Sequence, residues 1–191
     1  MSNPTRELPS AVDAEKSVLS SCIQWPEMIS RGRQEGMTRE AFYIPAHGQL
    51  WEALSKRQRG GQPIELVSLT AALKGTGILT NLGGPSALAD IYSYSTTGAN
   101  FDHHAGMVRE AHSMRKLYAS ATLTAAQVES GSDAGKTIQT LQKGLEEARR
   151  SLSGMSEGVD MAGALGGLAG RFRGGAQGGA HHPAPYRAGP P

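Results

Sequence analysis

The chain has 191 residues with 38% apolar and only 5% aromatic side chains, which allows one or two small domains with a core poor in aromatic filling. Its 19 basic and 17 acidic residues leave a formal charge of +2, which excludes the strong electrostatic footprint of a nucleic-acid-binding protein. Its one cysteine excludes an internal disulfide. Residues 1–10 lack the features of a signal peptide, so we expect a cytoplasmic protein.

Helical spacing dominates the chain, and no run of alternating β-branched residues predicts a strand. We therefore predict an all-α fold with one domain over residues 8–152. This domain divides into a compact multi-helix head over residues 8–98 and a long antiparallel helical hairpin over residues 99–152. Residues 153–191 are predicted to form a disordered Gly-rich tail, because glycine, alanine and proline leave almost no side chain to bury. No segment approaches the ~20 apolar residues that span a bilayer, so we expect no membrane partner.

The first helix is predicted to begin at Ser10, whose hydroxyl can cap the following amides. Asp13 and Glu15 suit the positive end of its dipole. The buried stripe of this helix comprises Val18, Leu19, Cys22 and Ile23. Pro26 then begins a short turn, and residues 31–36 are predicted to be a polar loop.

A helix over residues 45–59 is predicted to be the centre of the core. Its apolar face comprises Tyr43, His47, Leu50, Trp51 and Leu54. His47 is predicted to be a hydrogen-bonded core histidine rather than a catalytic base, since no nucleophile accompanies it. Shorter helices with glycine-rich turns follow, including one over residues 85–92.

The second half of the chain carries a narrow apolar stripe on each of two predicted helices, which are joined by a turn at residues 129–133. The steps alternate between four and three, the spacing that keeps one stripe of a helix facing a partner helix. We call the following residues the hairpin stripe: Met107, Ala111, Met114, Tyr118, Ala121, Ala125, Ile138, Leu141, Leu145 and Ala148.

Two interpretations of the hairpin stripe fit the spacing. One is an ordinary intramolecular bundle, and the other is self-association. Two helices alone bury too little surface to be stable, so the stripe needs either the head or other copies of the chain as a partner. We predict that it forms an oligomer interface.

Motifs that could carry chemistry are few. Gly135, Lys136 and Thr137 match the end of a phosphate-binding loop, but Ser130 replaces the required upstream glycine and a helix precedes it. This segment is better explained as a turn followed by a helix cap. The histidine pairs at residues 103–104 and 181–182 lack a third ligand at metal spacing. We therefore predict no catalytic, cofactor-binding or metal-binding residue.

Short motifs follow one another in a fixed order between residues 8 and 152. They are Ala14, Glu15, Ser17, Val18 and Leu19; Phe42, Tyr43 and His47; Gly61, Pro63, Ile64 and Glu65; Leu69 and Leu73; Gly77 to Leu79; Gly83 and Gly84; Ala99 and Asn100; Val108, Arg109 and Glu110; Arg115 and Leu117. This ordered set resembles the N-terminal domain of bacterial replicative DNA helicases of the DnaB type. The chain departs from the family pattern at Ala41, where an acid is usual, at Glu65, where Asp is usual, and over residues 92–97.

The resemblance implies a helical collar in DNA replication. In that family the hairpins of neighbouring copies pair to build a collar on a ring-shaped homo-oligomer, and primase docks there. A helicase loader is a further implied partner, and DNA is contacted only through the helicase. ATP and Mg²⁺ belong to the RecA-like motor that follows the collar in that family. Residues 153–191 enter the Gly-rich tail instead, so we expect this chain alone to have no cofactor and no ATPase activity.

A different class of function starts from a cluster of basic residues. Lys56, Arg57 and Arg59 lie together at a predicted helix end, which also suits the helix dipole. Arg171 and Arg173 lie among glycines, as in some RNA-binding tails. The alternative is therefore a small nucleic-acid-binding protein that uses these residues.

Overall fold

The computed structural model describes residues 8–152, and the predicted disordered tail over residues 153–191 lies outside them. The helices are α1 (Val12–Gln24), α2 (Glu27–Gln34), a 3-10 turn (Arg39–Ala41), α3 (Pro45–Arg59), α4 (Leu66–Leu73), α5 (Ile78–Leu82), α6 (Pro85–Tyr92), α7 (Phe101–Glu129) and α8 (Ala134–Leu152). No strand occurs within the described residues, so the predicted all-α fold is confirmed. None of the described helices combines the length and apolar character that crossing a membrane requires.

The first helix, α1, begins later than the sequence predicts. Its N-cap is Ala11, which makes no side-chain capping hydrogen bond, so the prediction of Ser10 as the cap is wrong. Arg115 of α7 donates a hydrogen bond of 3.0 Å to the carbonyl of Pro9, and this contact holds the chain against α7 ahead of the first turn. The predicted buried stripe is confirmed, since Val18, Leu19 and Cys22 are fully buried and Ile23 is nearly so.

The predicted loop over residues 31–36 is wrong, because α2 continues to Gln34. A Cβ atom at Gly32 would lie 2.6 Å from the Trp51 ring and 3.2 Å from the Phe101 ring. This helix therefore packs on the core partly through a glycine. Since glycine is not an apolar residue of the helical pattern, no sequence signal indicates that the helix continues to this point. Gly36, at φ +76°, follows the helix in a conformation that favours glycine.

The central helix α3 has the bounds that the sequence predicts, with Pro45 in its first turn and Gly60 as its C-cap. Its Leu50, Trp51 and Leu54 are buried, as expected for the centre of the core. They belong to one cluster with α1, α2 and the short helices, whose other members include Ile29, Leu69, Leu73, Leu88 and Ile91. Tyr43 precedes the helix and is 38% exposed, so it does not belong to the buried face.

The longest helix, α7, belongs to both the head and the hairpin. Its Phe101, Ala105 and Val108 lie in the head core. The division between a head over residues 8–98 and a hairpin over residues 99–152 therefore falls too early, because about three turns of α7 complete the head. The predicted division relied on the spacing of the hairpin stripe. The core residues were missed because they occupy a different face of the same helix.

Candidate functional site

Two arginines fix the base of the hairpin to the head. Arg109 is buried, donates to the carbonyl of Glu35 at 2.9 Å, and lies 3.1 Å from the carboxylate of that residue. Burial raises the pKa of the Glu35 carboxyl, and the nearby Arg109 opposes that rise. Arg115 donates to the carbonyl of Ala41 at 2.7 Å, and its guanidinium lies over the Tyr43 ring. Each arginine thus satisfies a carbonyl where a helical segment of the head ends.

A buried carboxylate joins α1 to the start of α3. Glu15 is 1% exposed and accepts hydrogen bonds from the backbone amides of Tyr43 and Ile44, the latter at 3.3 Å. Its second partner group is Nδ1 of His47 at 2.8 Å. The prediction of His47 as a hydrogen-bonded core residue is confirmed. Glu15 was predicted only to favour the positive end of the helix dipole, but it also joins α1 to the start of α3. This role was not predicted, because partners so far apart in the chain cannot be found from sequence spacing.

The two arms of the hairpin meet through small and polar side chains. The hydroxyl of Ser113 donates to the carbonyl of Ala148 at 2.9 Å. Farther along, a Cβ atom added at Gly144 would overlap the side chain of Ser120, so the helices approach closely at this point. Near the turn, Gln127 donates to the hydroxyl of Thr140 at 3.4 Å. None of these contacts uses a large apolar residue.

The large residues of the hairpin stripe are about half exposed instead. Their exposed fractions are 42% for Met107, 48% for Met114, 49% for Tyr118, 57% for Ile138, 46% for Leu141 and 50% for Leu145. Ala121 and Ala125 are exposed as well, whereas Ala111 and Ala148 are buried. The structure therefore places the large residues of the stripe away from the contact between the two arms, whereas Ala148 takes part in that contact.

Both parts of the stripe lie on the same side of the hairpin. At about 100° per residue, the α7 part is rotated by about 120° from the face that meets α8. The α8 part is rotated by about 90° in the same sense from the face that meets α7. Because the two helices run antiparallel, equal senses of rotation bring both parts to one side. The result is a single apolar face, formed by Tyr118 and Met114 on one arm and Leu141 and Leu145 on the other.

The remaining residues that the sequence singled out are the basic cluster, the segment around Lys136 and the histidines, and none of them lies in the hairpin stripe. Arg57 donates twice to the carbonyl of Pro63, at 3.1 and 2.6 Å, and Arg59 donates to a backbone carbonyl within α3. The Lys136 amide receives a cap from the Asp133 carboxylate at 3.0 Å, which confirms the interpretation of that segment as a helix start. Between residues 8 and 152, no group of three or more His, Cys, Asp or Glu residues could hold a metal ion.

The architecture is that of an all-helical head from which one continuous helix leads into an antiparallel hairpin. Residues 7–110 match the family described as DnaB-like helicase N terminal domain, and the chain belongs to this family. The resemblance seen in the sequence is thus confirmed.

Similar proteins support the same assignment. The chain is 34% identical over 109 residues to the replicative DNA helicase DnaB of Nostoc sp. (strain PCC 7120 / SAG 25.82 / UTEX 2576), and 31% identical over 117 residues to the replicative DNA helicase DnaC of Bacillus subtilis (strain 168). These matches cover 57% and 61% of this chain but only 12% and 26% of the relatives. The chain therefore spans a small part of the length of these curated relatives.

Solved structures agree in fold. The N-terminal domain of DnaB helicase from Mycobacterium tuberculosis superposes with a TM-score of 0.68 at 25% identity, covering 74% of this chain and 99% of that one. A DnaB-like replicative helicase, solved in a study of its interactions with primase, has a TM-score of 0.57 at 22% identity. That match covers 86% of this chain and 35% of the helicase, and it supports the fold alone.

Proposed function

We propose that this chain acts as the N-terminal collar domain of a replicative DNA helicase, and that copies of it associate through the hairpin stripe into a ring-type homo-oligomer. The observation that carries the proposal is the half-exposed apolar face on one side of a hairpin whose two arms meet through small and polar side chains. A continuous apolar patch of this kind marks an interaction surface in soluble proteins.

The strength of this association follows from the exposed area. Fully burying a large apolar side chain contributes about 1.5–3 kcal/mol, so covering the exposed half of one contributes about 1 kcal/mol. Six such side chains on each of two copies give about 12 kcal/mol, against the ~4–15 kcal/mol that association costs in lost freedom. At the low end of that cost about 8 kcal/mol remains, which corresponds to a dissociation constant of about 1 μM, so the association is to be measured at micromolar concentrations.

Replacing both Leu141 and Leu145 with Asp tests the interface. Association would bury the two carboxylates without partners, so the double variant should be monomeric. The two leucines are about half exposed in the single chain, so the helical content should stay unchanged. Analytical ultracentrifugation gives the mass and circular dichroism gives the helicity.

Leu123→Asp is the matched control. Leu123 is 52% exposed on α7 and lies about 160° around that helix from the hairpin stripe, so this variant should assemble like the wild type. A wild-type chain that is monomeric at tens of micromolar would refute the proposal. A Leu141/Leu145 double variant that unfolds throughout would show instead that the stripe packs on its own head.

Primase is the proposed partner of the assembled collar. Support comes from family membership and from the structural neighbour that was solved in a study of interactions with primase. A helicase loader, contact with DNA only through the complete helicase, and a cytoplasmic location belong to the same proposal. Co-sedimentation with the cognate primase should be strong for the wild type and weak for the monomeric double variant. Salt-dependent binding of single-stranded DNA by this chain, lost in Lys56→Ala, would favour the nucleic-acid alternative instead.

A further inference from the structure

A groove runs along the head between the outer side of α3 and the segment that contains the end of α4 and α5. Its volume is about 590 Å³, within the range of small-ligand sites. Its apolar lining includes Ala53, Leu73 and Ile78. None of the described residues that line it belongs to α7 or α8, so the groove is separate from the hairpin stripe.

The groove carries an excess of positive charge. Arg39, Lys56 and Arg57 line it, and Glu52 is its one acidic lining residue among the described residues. Arg39 pairs with Glu52 at 2.9 Å, which neutralises one charge. Arg57 is oriented by the neutral carbonyl of Pro63 and therefore keeps its full charge.

Lys56 is the most available of these cations. It is exposed, and its ammonium group makes no hydrogen bond or ion pair with any other residue between positions 8 and 152. With Arg57 beside it in the sequence, it leaves two positive charges in the groove that lack a carboxylate. An anionic ligand with an apolar part would complement both the charge and the lining.

We propose that this groove binds an acidic peptide segment of a partner protein, in which a leucine-like side chain lies between carboxylates. The apolar side chain contacts Ala53 and Ile78, which are partly exposed in the groove, and the carboxylates face Lys56 and Arg57. Gln49 and Asn81, which hydrogen-bond to each other at 2.9 Å in the groove lining, offer amide groups to the peptide backbone.

The same observations favour a peptide over nucleic acid. Affinity for a phosphate backbone comes from several cations arranged along it. This groove instead places the Glu52 carboxylate among its cations, and its Arg39 is already paired. Arg59, the third member of the basic cluster in the sequence, does not line the groove.

The test uses the full chain and a fluorescein-labelled peptide of alternating aspartate and leucine, followed by fluorescence polarisation at low salt. We expect saturable binding that weakens about tenfold in Lys56→Glu, because reversing this charge turns attraction into repulsion. Lys143→Glu is the control, since Lys143 is 80% exposed on α8, outside the groove, and its reversal should leave the affinity unchanged. A peptide with serine in place of leucine should bind more weakly, since it cannot use the apolar lining.

Several results would overturn the proposal. They are the absence of saturable binding, equal weakening by Lys143→Glu, equal affinity for the serine peptide, and displacement of the peptide by oligothymidylate in a manner that depends on Lys56. The monomeric Leu141/Leu145 double variant should bind the peptide as the wild type does. Failure of the groove and failure of the hairpin interface are therefore distinguishable.

Discussion

Gly144→Ala should increase the separation between α7 and α8 where the two arms of the hairpin are in contact. The new methyl group would overlap both the Cβ and the Oγ atoms of Ser120. A Cβ atom cannot rotate out of the way, so one helix must shift. The Ser120 hydroxyl is buried and has no hydrogen-bond partner among the described residues. Moving it therefore breaks no hydrogen bond, and the effect of the substitution comes from packing.

The expected size of the effect is the difference between two opposing contributions. Replacing glycine with alanine inside a helix stabilises it by about 0.5–1 kcal/mol. Overpacking a close contact costs about 1–3 kcal/mol. Gly106, within α7, is the matched control, because a Cβ atom added there meets nothing within 4 Å. Gly106→Ala should therefore stabilise the chain, and Gly144→Ala should be less stable than Gly106→Ala by about 1–3 kcal/mol.

Urea denaturation measures the free energy of unfolding, and native-state hydrogen exchange of the α8 amides reports on the hairpin itself. Adding Ser120→Gly removes the overlapping atoms, so the double variant should recover a coupling energy of about 1–3 kcal/mol. If Gly144→Ala stabilises the chain as much as Gly106→Ala does, the arms are not in contact at this point and the reasoning is refuted.

Three further outcomes follow from the structure. Burial, together with Lys116 and Arg115, lowers the pKa of His112 from 6.5 to about 4. The unfolded chain therefore binds a proton at His112 at higher pH than the folded chain does. As the pH falls from 6.5 to 4, the free energy of unfolding should decrease by about 1–2 kcal/mol after allowance for solvent screening. Urea midpoints should show a smaller decrease in His112→Gln. Glu15→Ala strands two backbone amides and should cost about 3 kcal/mol or more in urea denaturation, whereas Glu15→Gln, which keeps an acceptor, should cost less. The chain should show no ATP turnover with Mg²⁺ and single-stranded DNA, because the segment at Lys136 is a capped helix start; turnover that Lys136→Ala abolishes would contradict this.

The helices that the sequence predicted best are those bounded by strong local signals. The predicted bounds of α3 and α6 are confirmed. They were predictable because each helix has a proline in its first turn, and because a glycine follows α3 and another precedes α6. The end of α2 could not be predicted in this way, because Gly32 contributes its contact with Trp51 by lacking a side chain. The chain just before α1 is held by Arg115, a residue more than a hundred positions away, which local sequence signals do not reveal.

The candidate surface was only partly predictable for a similar reason. Alternating steps of four and three identified which residues of α7 and α8 share a stripe, but such spacing does not say which helix that stripe meets. The actual contact between the arms uses Ser113, Ser120 and Gly144, which carry no hydrophobic signal. The anchoring roles of Glu15 and Arg109 depend on contacts between distant elements, which one sequence alone does not reveal.

Because α7 is one uninterrupted helix, a small change of angle at its base is transmitted to the tip of the hairpin. One end is fixed by Arg109 and Arg115, and the helix runs unbroken to Glu129. The part beyond Arg115 is about 21 Å long at ~1.5 Å per residue. A tilt of about 5° at the base would therefore displace the tip by about 2 Å over that length. Substitutions at either arginine should accordingly be felt most strongly at the far end of the hairpin, where neither side chain makes any contact.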